Sequence, residues 1–447
     1  MATHVNDFGT GSVKKRILSQ AIPLMMAQAV QLLYNVVDRI YIGHLKDIGD
    51  IAMTGLGITF PVIVIIASFT SLYGSGGTVL FSIERGRGNK EEAEKILGNV
   101  VALHLVSAIV LFLFCYLLKR PILYLFGASD QSIIYADQYI RIYLFGTLFS
   151  MLSTGLNGFI NAQGHPRVGM MTTIIGAIVN IILDPVFIFI FKMGVAGAAV
   201  ATVLSQAVSA IWVLHYLLSY DTELRIKKEY VTINGRRTKE IVTLGFPGFV
   251  MQATGGLVQI ASNNQLQIYG GDMYVTIFTI LNSIRDIIQL PVYALTSGAS
   301  PVLGYNYGAE KYERVKEAIR FTTVFSGLYT IVAWLIIVFE PHLFMGMFSN
   351  NPITIEEGCR MLFIYFFGFV FMTFQFSGQT AFQALGKAKF AIFFSTFRKV
   401  VLVVPLTFFL PAIGFGVEGV FLAEAVSNIV GSLLCYITMY FTLYRKL

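Results

Sequence analysis

This sequence predicts an all-α membrane protein: twelve spanning helices in two parallel six-helix repeats. Three observations predict it. First, 55% of the 447 residues are hydrophobic and 13% charged, about half the roughly 25% of charged residues in a soluble protein, and the mean hydropathy is +0.70. Second, apolar runs such as Val100–Leu118 recur along the whole length; a span needs about 20 such residues. The runs are continuous, not alternating, which argues against a β-barrel. Third, the second half repeats the first at a fixed offset.

The spans follow in order. The first, 17–42, comes after polar residues ending in Lys14, Lys15 and Arg16. No cleavage site follows it, so it is expected to be retained and not removed as a signal peptide. The second, 55–82, carries GSGG at 74–77, and the loop GRGNKEEAEKI (86–96) leads into the third, 95–118. The fourth, 134–160, stops before the QGHP loop (163–166); the fifth, 167–191, stops before the GVAG run that opens the sixth, 195–219. The polar stretch Ser219–Lys239 then intervenes. The seventh, 240–266, and eighth, 275–303, precede the loop GAEKYERVKEA (308–318) and the ninth, 315–339. The tenth, 357–384, the eleventh, 388–411, and the twelfth, 416–443, complete the set.

Basic residues sort between the connections. One side holds Lys14, Lys15, Arg16, Arg85, Arg87, Lys90, Lys95, Arg167, the Arg225–Lys239 cluster, Lys311, Arg314, Lys316, Lys387, Lys389, Arg445 and Lys446. The other holds little beyond Lys46, Lys119, Arg120 and Lys192. The positive-inside rule puts both termini in the cytoplasm of a cell that carries this protein in its (inner) membrane. The net charge of +7 is accounted for by those loops and gives no reason to expect a nucleic-acid partner. Cys115, Cys359 and Cys435 lie in or near apolar segments at no metal spacing and read as packing residues.

The repeat is explicit. GHPRVGMM begins at Gly164 and GKAKFAIF at Gly386, 222 residues on. The same shift carries GVAGAAVATVLSQAVS (194–209) onto GVEGVFLAEAVSNIVG (416–431), and Ser75-Gly76 onto Ser297-Gly298. A shift of 224 carries Pro23 and Gln28 onto Pro247 and Gln252. Six helices is an even number, so both copies cross in the same sense. The expected domains are a six-helix lobe at 1–219, a cytoplasmic linker at 220–239 and a second lobe at 240–447.

Two carboxylates lie inside apolar helices of the first copy. Gln31, Tyr34, Asn35 and Asp38 fall at i, i+3, i+4 and i+7, one polar helical face. A polar face at bilayer depth looks into the bundle or a water cavity, and an intramembrane carboxylate usually marks an ion or proton site; a local pair with Arg39 or a packing network is the alternative for Asp38. Asn180 and Asp184 stand at i and i+4, and Pro185 cannot donate to the Ile181 carbonyl. A carboxylate, an amide and a freed carbonyl offer three hard oxygens to Na⁺; the carboxylates alone suit H⁺. Thr202 of the sixth span could add a hydroxyl; a polar knot joining helices is the alternative. The repeat supplies a control: Asn180 and Asp184 map to Leu402 and Leu406, and Asp38 to Ser262. The second copy holds its own charges, Arg285, Asp286, Arg398 and Glu424, which could pair inside the bundle, while Arg398 could instead snorkel. With 38 Phe, 22 Tyr and 15 Met, an aromatic, Met-rich cavity would suit apolar or cationic drug-like molecules. The histidines form no HExxH and the glycine runs lack a P-loop lysine, so no enzyme, cofactor or nucleotide is expected, and an ion gradient supplies the energy.

IPLMMAQAVQLLYNVVDRIYIGHL, QGHP, NIILDP and ASPVLGYNYGAEKYERVKEA resemble the multidrug and toxic compound extrusion (MATE) family, end to end. The resemblance is to the bacterial branch with its cation site in the N-terminal lobe. It implies a V-shaped twelve-helix fold with a cavity between its two lobes, and antiport of organic cationic or amphipathic compounds against Na⁺ or H⁺ by alternating access. It implies a coupling site of Asp38, Asn180, Asp184 and Thr202, with Na⁺ on Asp38, Asn180 and Asp184 if sodium is the ion. Gln31, Tyr34, Asn35, Tyr139 and Asn157 would form the surrounding network. The sister branch uses acidic residues of the other lobe; Gln252 stands at that position here, and Asp286, Arg398 and Glu424 fit neither pattern. The expected protein is a monomer in contact with membrane lipid. A lipid-linked oligosaccharide flippase, with a cationic cavity for pyrophosphates, and a non-transporting scaffold are the alternatives.

Overall fold

The computed structural model describes residues 8–43, 49–126, 128, 130, 132–219, 222–348 and 351–447; within its helices, the side chains of 35, 36, 38–40, 43, 49–54 and 272 lie outside the described set. The helices of the first half are α1 (Val13–Gly43), α2 (Gly49–Gly86), α3 (Lys90–Leu117), α4 (Lys119–Leu125), α5 (Ser132–Tyr143), α6 (Thr147–Ala162), α7 (Pro166–Pro185) and α8 (Val195–Leu218). Those of the second are α9 (Gly235–Gly270), α10 (Asp272–Gly308), α11 (Tyr312–Phe339), α12 (Pro341–Gly346), α13 (Pro352–Phe366), α14 (Met372–Ala384), α15 (Ala388–Thr396), α16 (Val404–Leu410) and α17 (Gly416–Thr442). Among the described residues there is no strand. Hydrocarbon offers no partner for a backbone N–H, and a helix satisfies its own.

Among the described residues, nine stretches are long and apolar enough to cross a membrane, and α13 with α14, bent by 41°, makes a tenth. The last of the nine, Ala388–Lys446, runs 59 residues, too long for one crossing. It turns back at Gly414 (φ 109°) and Gly416 (φ 51°), which separates α16 from α17. The α5–α6 pair, the repeat equivalent of the bent α13–α14 pair, is the remaining span expected from the sequence.

The chain forms two compact units, Phe8 with Ile22–Phe249, and Gly9–Ala21 with Val250–Leu447. In the first, α2 packs on α3, α5 and α6; α6 packs on α3 and α8; α8 packs on α5 and α7. In the second, α10 packs on α11, α13 and α14; α14 packs on α11 and α17; α17 packs on α13 and α16. Each pair in one list has its repeat equivalent in the other. The breaks correspond too. A 3₁₀ turn at Leu144–Gly146 joins α5 to α6, and one at Phe369–Phe371 joins α13 to α14. Gly146 and Gly368, 222 residues apart, sit against α8 and α17, the last helix of each repeat. A Cβ on Gly146 would stand 2.7 Å from Gln206 Oε1, and one on Gly368 would stand 2.2 Å from Ala425 O. Small residues let membrane helices approach this closely.

The polar segment after α8 is tied down. Arg85 Nη1 donates to Ala162 O at 2.8 Å and Nη2 to Glu223 Oε2 at 3.0 Å; Leu224 N donates to Gln163 Oε1 at 3.1 Å. Lys90 Nζ lies 3.2 Å from Glu223 Oε1. Burial would raise the Glu223 pKa, but the Arg85 and Lys90 charges outweigh it and hold the carboxyl below the ordinary 4.5.

Candidate functional site

α7 places Asn180 and Asp184 on one face, and both are sealed from solvent at 1% and 0% exposure. Asn180 Nδ2 donates to Asp184 Oδ1 at 3.3 Å. Asn180 Oδ1 is buried with no hydrogen-bond partner among the described residues. Such an orphan acceptor costs about 1–3 kcal/mol, and a bound cation would satisfy it. Past Pro185, whose nitrogen carries no hydrogen, the winding loosens to a π-turn over Val186–Ile190.

One turn before Asn180, α7 meets a cavity of about 850 Å³ within the first unit. Three helices turn polar faces into it, each at i, i+3, i+4, i+7 or part of that pattern. α1 gives Gln31 and Tyr34; α6 gives Ser150, Ser153, Thr154 and Asn157; α8 gives Thr202, Ser205, Gln206 and Ser209. α5 adds Tyr139 and Tyr143, their rings stacked at 5.8 Å, and α7 adds Thr172 and Thr173. Phe60 of α2 lines the same space.

The walls are cross-tied. Asn157 Nδ2 donates to Gly169 O at 3.1 Å, and Thr172 Oγ1 donates to Asn157 Oδ1 at 3.2 Å, joining α6 to α7. Ser209 Oγ donates to Thr172 O at 3.0 Å, joining α8 to α7. Thr202 Oγ1 donates to Ala198 O at 2.9 Å, which leaves its oxygen lone pairs available to an incoming ligand.

Of the residues expected from sequence, Gln31, Tyr34, Tyr139, Asn157 and Thr202 come together around the cavity, while Asn180 and Asp184 pair with each other beyond its lining. The side chains of Asn35 and Asp38 lie outside the described set. Sequence reasoning missed the faces of α6 and α8. Their 150/153/154/157 and 202/205/206/209 spacings repeat that of 31/34/35/38 and could have revealed them. Among the described residues no three His, Cys, Asp or Glu side chains gather as a metal cage, so a cation here would depend on amide, hydroxyl and carbonyl oxygens as well as carboxylate.

The expected charges of the second unit are also located. Arg398 does not snorkel; it is 8% exposed, and its Nη1 donates to Glu424 Oε1 at 3.3 Å and to Asn428 Oδ1 at 2.6 Å. Asp286 Oδ1 accepts from Arg285 Nη2 at 3.1 Å. The interior ion pair is the better alternative because a guanidinium in an apolar helix is cheapest beside a carboxylate.

Comparison with known proteins matches residues 23–186 and 247–409 to the MatE family model. The multidrug export protein MepA of Staphylococcus saprophyticus is 23% identical over 436 residues, covering 96% of this chain and 95% of that protein. A solved multidrug resistance MATE family transporter of the MOP superfamily in an outward-facing conformation superposes with a TM-score of 0.92 at 22% identity, covering all of both chains. A MOP superfamily transporter from Pyrococcus furiosus, described as having a binding pocket of reverse polarity that suggests a different function, gives 0.91 at 22% identity, over 99% of this chain and 98% of that one.

Proposed function

We propose, from the premise that this chain belongs to the MatE family, that it is a secondary active multidrug exporter, antiporting organic cationic or amphipathic compounds against Na⁺ or H⁺. The observation that carries this reading is the buried Asn180–Asp184 pair one helical turn from the cavity of the first unit. The relatives named as multidrug exporters support it.

The cavity's chemistry supports the substrate class. Tyr34, Tyr139, Tyr143 and Phe60 offer aromatic faces, which attract organic cations by cation–π contact. Hydroxyls and amides between them adapt to varied polar groups. In this reading the coupling ion sits at Asp184, with Asn180 Oδ1 and the Thr202 hydroxyl as neighbours. Asp38 of α1 supplies the second carboxylate. Occupied by the cation, the site favours one access state; empty, it favours the other. That shift requires different cation affinities in the two states. Lobes 1–219 and 240–447, joined by 220–239, would move against each other, with both termini on the cytoplasmic side of the cell membrane.

The test is ethidium efflux from proteoliposomes, with Na⁺ and H⁺ gradients imposed separately. Efflux driven by one gradient and lost in Asp184→Asn supports the reading and names the ion. Folded protein that moves ethidium under neither gradient would refute it.

A further inference from the structure

Glu424 is the only carboxylate that Arg398 and Lys399 share among the described residues, and it has too little charge for both. Its Oε1 lies 3.3 Å from Arg398 Nη1 and 3.6 Å from Lys399 Nζ. Arg285 also exerts its charge on Glu424, and its Nη1 donates to Tyr365 OH at 2.7 Å. Asp286 is 61% exposed and pairs with Arg285. Three cations against two carboxylates leave one positive charge in excess. Arg398 makes both its hydrogen bonds through Nη1; its Nε and Nη2 make none among the described residues. An uncompensated buried cation is costly.

The place is as informative as the charge. The 222-residue shift carries Tyr365, Arg398, Glu424 and Asn428 onto Tyr143, Gly176, Thr202 and Gln206. All four of those line the first unit's cavity. The cationic cluster therefore occupies the repeat equivalent of that cavity wall. Local backbone is adapted to it. Consecutive side chains on an α-helix diverge by about 100°, yet Arg398 and Lys399 both reach Glu424. They lie in a π-wound segment, Phe397–Val403, a winding frequent at functional sites; the equivalent residues 175–181 of α7 are plain α-helix. Gly431 makes room for the arginine stem, since a Cβ there would stand 3.0 Å from Arg398 Cγ.

We propose that the second unit holds an anion-accepting site, opposite in polarity to the first unit's, where Arg398 and Lys399 receive a singly charged group, a carboxylate or a halide. A carboxylate fits the planar donor edge that Arg398 leaves open; a halide supplies the missing charge alone. The proposal does not depend on export, because it concerns binding to the resting protein.

The experiment is equilibrium dialysis of purified full-length protein in detergent, at fixed ionic strength and pH 7, against radiolabelled benzoate and, separately, radiolabelled chloride. Folding of each variant is checked by thermal melting and monodispersity. Wild type is expected to bind at least one probe saturably at one site. Arg398→Gln and Lys399→Gln are each expected to weaken binding at least tenfold. Glu424→Gln, which frees both cations, is expected to tighten it at least threefold, a change that a merely structural carboxylate would not produce. Benzoate without chloride identifies the carboxylate of a larger ligand; chloride without benzoate identifies a free halide; mutual competition identifies one site serving both. Absence of saturable binding in both wild type and Glu424→Gln overturns the proposal, as does wild-type affinity in Lys399→Gln. If Arg398→Gln does not fold, the other two variants decide.

Discussion

Replacing Asn180 by Ala isolates the coupling role proposed for the first unit. The substitution removes the 3.3 Å bond from Nδ2 to Asp184 Oδ1 and the orphan oxygen on the other side of the amide. Alanine keeps the helix, and because the truncation of a buried side chain also costs packing, folding of the variant is checked by thermal melting. A hydrogen bond to a charged group is worth about 1.5–3 kcal/mol. If the amide orients the carboxylate and also offers its oxygen to the ion, cation affinity falls by that amount, roughly 10- to 100-fold at 1.4 kcal/mol per decade. The assay is ethidium efflux from proteoliposomes at varied concentration of the driving ion. The half-saturating concentration is expected to rise by that factor, with efflux at saturating ion retained. An unchanged half-saturating concentration in folded protein refutes the argument, because it leaves the buried amide with no part in holding the ion.

Other expectations follow from the packing and the polar segment. Gly368→Ala drives a Cβ against the Ala425 backbone at 2.2 Å, whereas Gly146→Ala meets side-chain atoms, Gln206 Oε1 at 2.7 Å and Val203 Cγ2 at 2.8 Å; overpacking against backbone is expected to cost about 1–3 kcal/mol, so the melting temperature should fall for both and further for Gly368→Ala. Lys192 holds φ 56° where its repeat equivalent is Gly414; relieving that strain in Lys192→Gly should stabilise by about 1 kcal/mol, read as a higher melting temperature. Glu223→Gln removes the pairing to Arg85 and Lys90 and should cost about 1 kcal/mol near neutral pH, a modest figure because the pair is partly solvated. Since the folded Glu223 pKa is depressed, that contribution is complete above the ordinary 4.5 and fades as pH falls through the folded value; melting curves of the two proteins should therefore converge in acid.

The membrane spans were legible because lipid leaves no choice: a run of twenty apolar residues must be helical. The breaks inside them were not. Hydropathy dips at Asp137 and Arg141 in 134–160 and at Arg398 and Lys399 in 388–411, but it does not locate the 3₁₀ turn at Leu144–Gly146 or tell the π-winding at Phe397–Val403 from α-helix. Hydrogen-bond register, not polarity, makes those features, and only the matched Gly146 and Gly368 hint at the first. The Asn180–Asp184 pair could be read from its i, i+4 spacing. The Ser and Thr faces of α6 and α8 were harder, since hydroxyls in apolar helices commonly turn back to their own backbone, as Thr202 does to Ala198. That Asn180 and Asp184 would be sealed behind the cavity lining depends on tertiary packing and had no counterpart in the spacing.

The tight reversals bear on how the chain is made. Residues 191–194 are all that separate the π-turn after α7 from α8, with Lys192 and Gly194 both at positive φ, and 411–415 separate α16 from α17 in the same manner. A connection this short cannot let one helix enter the bilayer well ahead of the next. During biosynthesis α7 and α8 must partition from the insertion machinery as one hairpin. The fully buried Asp184 then never faces lipid alone; it arrives with the helix that carries Thr202 already beside it, which lowers the cost of inserting a carboxylate. Nascent chains truncated at Phe191 and at Leu218 separate the two cases: only the longer is expected to hold α7 across the membrane.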